Sequence, residues 1–147
     1  MRFICAVWRA NKHSEVGMMK KQVNPKTGAP PVGAYSPGLI AGDFVFVSGQ
    51  GPLDPETGKI VGETIEEQTA RVLENVKAVL DAAGASMSDV VKVAVHLSDL
   101  ASFHRFNQVY ATFFPDPKPT RTTVGSQLPG ILVEIDAIAY LGDKGVS

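Results

Sequence analysis

A single cysteine among 147 residues is the first scarcity in this sequence. Cys5 has no partner within the chain, so an intrachain disulfide is impossible and a reducing, cytoplasmic compartment is the natural reading. The three histidines, His13, His96 and His104, have no ligand spacing, and neither CxxC nor HExxH occurs, so no metal is expected. A net charge of -1 excludes electrostatic steering toward nucleic acid or a membrane surface, and no basic-aromatic stripe offers an RNA groove. The apolar run Phe3 to Trp8 is far too short to span a bilayer. Gly49 and Gly51 do not continue to a third glycine and a helix, which argues against a dinucleotide loop. Ser48 in VSGQG lacks the flanking pattern of a nucleophile elbow. No cofactor is indicated.

What is present is 44% hydrophobic residues, enough for one domain with a real core. The first stretch patterns differently from the rest. Arg2, Arg9 and Lys12 against Glu15 give it a basic bias, and Ser14 is its only serine. Residues 1–23 read as a dispensable extension ahead of a start at Met18 or Met19, with a transit peptide as the alternative, and residues 24–147 as the domain.

Asn24 to Gly33, rich in proline and glycine, is a lead-in loop. Ala34 to Ile40 and Asp43 to Ser48 read as strands, and Phe44-Val45-Phe46-Val47 is apolar on both faces. Thr64 with Glu67 three residues on forms a capping box. It opens a helix whose buried face carries Ile65, Thr69, Val72, Leu73, Val76, Val79, Leu80 and Ala83, stopped by Gly84. Asp89 to Ser98 alternates Val91, Val93, Val95 and Leu97 against polar or small residues, as a strand with one apolar face does. Ser102 to Phe114 spaces Phe103, Phe106, Val109, Tyr110 and Phe113 helically, with Pro115 and Pro117 beyond. Pro119 to Tyr140 reads as a hairpin around Pro129-Gly130. The order ββαβαββ is α+β, with both helices on one face of a single sheet. Phe44, Phe46, Leu132 and Ile138 would leave the other face too apolar for water, which points to a symmetric homo-oligomer.

Tyr35, Ser48, Asn107, Arg121, Thr123 and Glu134 are the polar residues set at the ends or inside of apolar elements. Singly, each has a structural explanation, and Glu134 could be the ion-pair partner of Arg121. Alternation puts Arg121 and Thr123 on one face. A loop over Gln127 to Gly130 would set Thr123 opposite Glu134.

The blocks GAYSPG, FVSGQGPLDPETG, QTARVLENVKAVLDAAG, FNQVYATFF and PTRTTVGSQLP followed by VEIDAIA resemble the RidA/YjgF reactive-intermediate deaminase family, from about Asn24 to Leu141. The resemblance implies a chorismate-mutase-like α+β domain with a mixed sheet, a homotrimer with sites at subunit interfaces, and cofactor-free hydrolysis of 2-imino or 2-enamino acids to 2-oxo acids and ammonia. It implies that Arg121 holds the substrate carboxylate and that Glu134 handles water or protons. Tyr35, Ser48, Gly49, Asn107 and Thr123 complete the substrate site. Many members carry a cysteine where this chain has Thr123, which keeps a hydroxyl and removes the thiol. The same family implies rival roles: a non-catalytic carboxylate-binding or chaperone-like trimer, or a translation inhibitor with endoribonuclease activity.

Overall fold

The computed structural model describes residues 20–27 and 31–142. The extension through residue 19, with Cys5 and His13, and residues 28–30 of the lead-in loop lie outside the described residues.

Six strands and two helices follow the chain as β1 (Lys21–Val23), β2 (Gly38–Ala41), β3 (Phe44–Gln50), α1 (Ile65–Ala82), β4 (Val90–Leu97), α2 (Phe103–Phe113), β5 (Thr120–Gly125) and β6 (Val133–Tyr140). They build one mixed sheet in the order β1-β2-β3-β6-β4-β5, in which only β4 and β5 run parallel. Both helices contribute to a single core on one face, so the chorismate-mutase-like α+β layout implied by the resemblance is the one found.

α1 begins where its cap dictates. The Thr64 hydroxyl accepts from the Glu67 amide, and the Glu67 carboxylate accepts from the Thr64 amide. Each satisfies an N–H that the first turn would otherwise leave unpaired. Ile65, Val72, Leu73, Val76, Val79 and Leu80 are buried, and Gly84 at φ +77° ends the element. β3 alternates as its sequence requires, with Val45 and Val47 under α1 and Phe44 and Phe46 on the helix-free face.

Four features differ from the sequence reading. The sheet gains a first strand: Lys21–Val23 pairs with β2 and Val23 is buried, so the described fold begins ahead of residue 24. Three residues are too short to leave a periodic signal. In β4 the buried residue is Val90 and Val91 is exposed, because the register against β6 shifts between Val90 and Lys92. One inserted residue moves everything before it to the other face. Leu132 packs against the helix-side core and does not belong to the bare face.

The largest correction is that β5 and β6 form no hairpin. The β4-α2-β5 crossover lays β5 parallel on the outer edge of β4, and β6 enters between β3 and β4. The connection between β5 and β6 wraps the end of β4, where the Ser126 amide donates to the Leu97 carbonyl and the Ser98 amide to the Leu132 carbonyl. Buried Gln68 fixes its far end, accepting from the Leu132 amide and donating to the Gly62 carbonyl.

Deleting residues 1–18 leaves β1 whole, and the melting temperature is expected to stay unchanged. Starting the chain at Asn24 removes Val23 from the core. That costs on the order of 1.5–3 kcal/mol, or roughly 5–10 °C for a domain of this size. Thermal denaturation of the two trimmed chains by circular dichroism checks both expectations.

Candidate functional site

The residues singled out in the sequence gather in two places. The first lies on the helix side of the sheet, at its β5 edge. Arg121 and Thr123 stand in register with Val93 and Val95, which are buried beneath the helices, so both point toward α2. The Arg121 guanidinium is half-buried, and its Nη1 donates to Asn107 Oδ1 at 2.8 Å. Its Cζ lies 4.6 Å from the Tyr110 ring centre, 5.4 Å from Phe103 and 5.7 Å from Phe106. The negative ring faces answer the charge electrostatically, as cation–π contacts do. An arginine is thus accommodated in an apolar stretch by aromatic faces and one amide. No carboxylate pairs with it among the described residues.

Tyr110 is buried, and its hydroxyl has no hydrogen-bond partner among the described residues. Burial pushes the phenol above its usual value, and the Arg121 charge pulls partly back. The Thr123 hydroxyl is likewise shielded and unpartnered, so Thr123 walls this place without offering an open donor.

The second place is on the other side. Glu134 stands in register with His96 on β4, next to Ile135, which pairs with Val95 and faces the core. Glu134 therefore faces the helix-free side, and its side chain lies across β3 over Gly49. A Cβ added at Gly49 would sit 2.5 Å from Glu134 Oε1. Only a glycine admits the carboxylate here. Tyr35, half exposed, and Gly49 also line a cleft of about 140 Å³ that Asn75 and Ala78 of α1 border and that Glu134 does not line. Ser48 sits in the irregularity where β3 shifts register against β6. Its hydroxyl donates to the Ser36 carbonyl at 2.6 Å and its amide to the Pro37 carbonyl, which ties down the loop carrying Tyr35.

The two groups do not meet within one chain. Arg121 is level with Ala137 across β4, three residues from the level of Glu134 and two strands away. That is roughly 10 Å across the sheet and roughly 10 Å along it, on opposite faces. The expected placement of Thr123 opposite Glu134 falls with the hairpin, and so does the ion pair between Arg121 and Glu134.

The aromatic stripe of α2 was legible as core, but its contact with Arg121 was not. The signal was there: Phe103, Phe106 and Tyr110 share a helical face with Asn107.

Among the described residues no group of three or more His, Cys, Asp or Glu could hold a metal ion, and no helix is long and apolar enough to cross a membrane. Replacing Gly49 by alanine is expected to displace the Glu134 carboxylate. The melting temperature should change little, because the atom met is the far end of a flexible side chain, and thermal denaturation checks this.

The Endoribonuclease L-PSP family model matches residues 26–141. A RutC family protein of Pyrococcus abyssi is 50% identical over 125 residues, covering 84% of this chain and 98% of that protein. The chloroplastic Reactive Intermediate Deaminase A of Arabidopsis thaliana is 44% identical over 126 residues, covering 84% of this chain and 67% of that one. The crystal structure of TdcF of E. coli with bound serine superposes with a TM-score of 0.78 at 39% identity, covering 82% of this chain and 98% of that one.

Proposed function

Since the chain belongs to the Endoribonuclease L-PSP family, which includes the RidA/YjgF proteins, we propose that it hydrolyses reactive 2-imino and 2-enamino acids to 2-oxo acids and ammonia. The observation that carries this reading is Arg121: a half-buried guanidinium with no carboxylate partner among the described residues. Its fork matches a carboxylate with two parallel charge-assisted hydrogen bonds. The Arabidopsis relative, named as a deaminase, and the serine bound to TdcF, an α-amino acid, support both the reaction class and the anion.

A 2-imino acid carries its electrophilic C=N carbon next to the carboxylate. Gripping the carboxylate fixes that carbon and converts water addition into an oriented step. The enamine reaches the imine by taking a proton on carbon and losing one from nitrogen. Water oxygen then adds to C2, the nitrogen gains protons, and the C–N bond breaks to release ammonia and leave the C2 carbonyl. Glu134 is the group that holds this water, accepts its proton and returns it to the leaving nitrogen. Tyr35 walls the site, and Gly49 keeps the carboxylate in place.

Arg121 and Glu134 lie on opposite faces of the sheet, so a working site takes them from two copies of the chain. The helix-free face supplies the reason to associate. Phe44, Phe46 and Tyr140 are 40%, 43% and 47% exposed, with ring centres 5.3 Å (Phe44 to Tyr140) and 6.5 Å (Phe44 to Phe46) apart. Such a patch belongs in an interface. Light scattering at micromolar concentration is expected to give a homotrimer, and a monomer would remove the shared site.

The test of function is ammonia release from an imino acid generated in situ by an amino-acid oxidase or dehydratase. Acceleration over the spontaneous reaction is expected. With no acceleration, the Arg121 half alone remains, and the protein captures carboxylates without turning them over.

A further inference from the structure

We infer that the aromatic stripe of α2, Phe103, Phe106 and Tyr110, is a positioning device for the Arg121 guanidinium that leaves its in-plane N–H donors free for a carboxylate. The inference rests on the reading of Arg121 as the carboxylate-holding residue and adds how that residue is kept ready.

A buried or half-buried arginine is ordinarily balanced by an acidic side chain. An acid accepts from the N–H groups in the guanidinium plane, the same groups an incoming carboxylate needs. Ring faces attract the cation through their quadrupole and take up none of those donors. In this chain the charge lies within 4.6 to 5.7 Å of three ring centres, and a single hydrogen bond among the described residues, Nη1 to Asn107 Oδ1, sets its rotation. The four α2 residues share one helical face and converge on one side of Arg121. Phe106 and Tyr110 are buried, with ring centres 5.4 Å apart, and Phe103 packs on Phe106 at 6.4 Å. The two buried rings therefore cannot follow the guanidinium if it moves, and with Phe103 packed on Phe106 they define where it rests. A guanidinium fixed in its binding geometry loses little rotamer freedom on binding, whereas one that wanders binds more weakly by the fraction of time it is misplaced.

Phe103 is the ring to test, because it is only half-buried and its removal opens no fully enclosed cavity. Phe103→Leu and Phe103→Met delete the ring at similar bulk, and Phe103→Tyr keeps it. A non-reactive 2-oxo acid, titrated calorimetrically into the full-length assembly, is the probe. Losing one ring is expected to weaken binding roughly two- to thirtyfold. KM should rise to match, kcat at saturation should hold, and Phe103→Tyr should bind like the parent. 15N relaxation of the Arg121 Nε–H group should report faster motion in Phe103→Leu and Phe103→Met only. Unchanged affinity and unchanged Arg121 mobility in whichever ringless variant folds would overturn the inference, as would a Phe103→Tyr as weak as Phe103→Leu. An Arg121→Ala arm separates the two levels. If it loses the 2-oxo acid while the ringless variants keep it, only the positioning role fails. If it binds like the parent, the carboxylate reading itself fails and takes the inference with it.

Discussion

Replacing Arg121 by alanine should lower kcat/KM for imino-acid hydrolysis by roughly a hundredfold or more while the protein stays folded. A charge-assisted hydrogen bond is worth on the order of 1.5–3 kcal/mol, and a bidentate grip provides two. Stability should hold because no carboxylate among the described residues pairs with this charge. The loss is that of the stem and the cation–π contacts, about 1–2 kcal/mol or a few degrees of melting temperature. Glu134→Gln should not restore an Arg121→Ala protein, since the two were never a pair. Arg121→Lys should recover part of the activity, because an ammonium keeps the charge but lacks the planar fork. Kinetics and melting curves measured on the same preparations decide it. Near-normal turnover by a folded Arg121→Ala protein would end the deaminase reading.

Mixing two inactive variants should restore activity. Arg121→Ala supplies Glu134, and Glu134→Gln supplies Arg121. If each site draws these groups from different copies, a trimer reassembled at random from equal amounts has about one site in four with both native groups. Activity should rise from near zero to about a quarter of the parent value after the mixture is dissociated and reassembled. Mixing without subunit exchange should give nothing. A dead mixture after proven exchange would mean that each chain completes its own site and would overturn the shared-site reading.

How much of this was legible in the sequence depends on the range of the interaction. α1 could be read almost to the residue, because the Thr64–Glu67 box and the apolar spacing act within the helix itself. The doubly apolar character of β3 was legible for the same reason. Val91 was misplaced because a bulge is a property of two strands, and no pattern within β4 announces it. The hairpin failed for a larger version of that reason. Two β-branched runs with Pro-Gly between them look alike whether they pair with each other or straddle a third strand, and here β4 lies between them. The family resemblance assigned the polar residues their expected roles. Their division between two faces could not, since it follows from the insertion of β6 beside β4. The aromatic residues of α2 satisfied the core pattern so fully that nothing in the pattern asked what else they touched.

The position of β6 also bears on how the chain comes to be folded. Of the described strands it is the last to be synthesised, yet it lies in the interior of the sheet, hydrogen-bonded to β3 on one side and β4 on the other. Until it emerges, β3 and β4 have no common neighbour, and each presents an open edge to whatever strand is nearby. Domains generally fold as units, so this one must wait with a vacant slot for β6. A premature stop shortly before residue 133 would remove the middle of the sheet rather than trim its end. The nascent chain is therefore most exposed to misassociation just before β6 emerges.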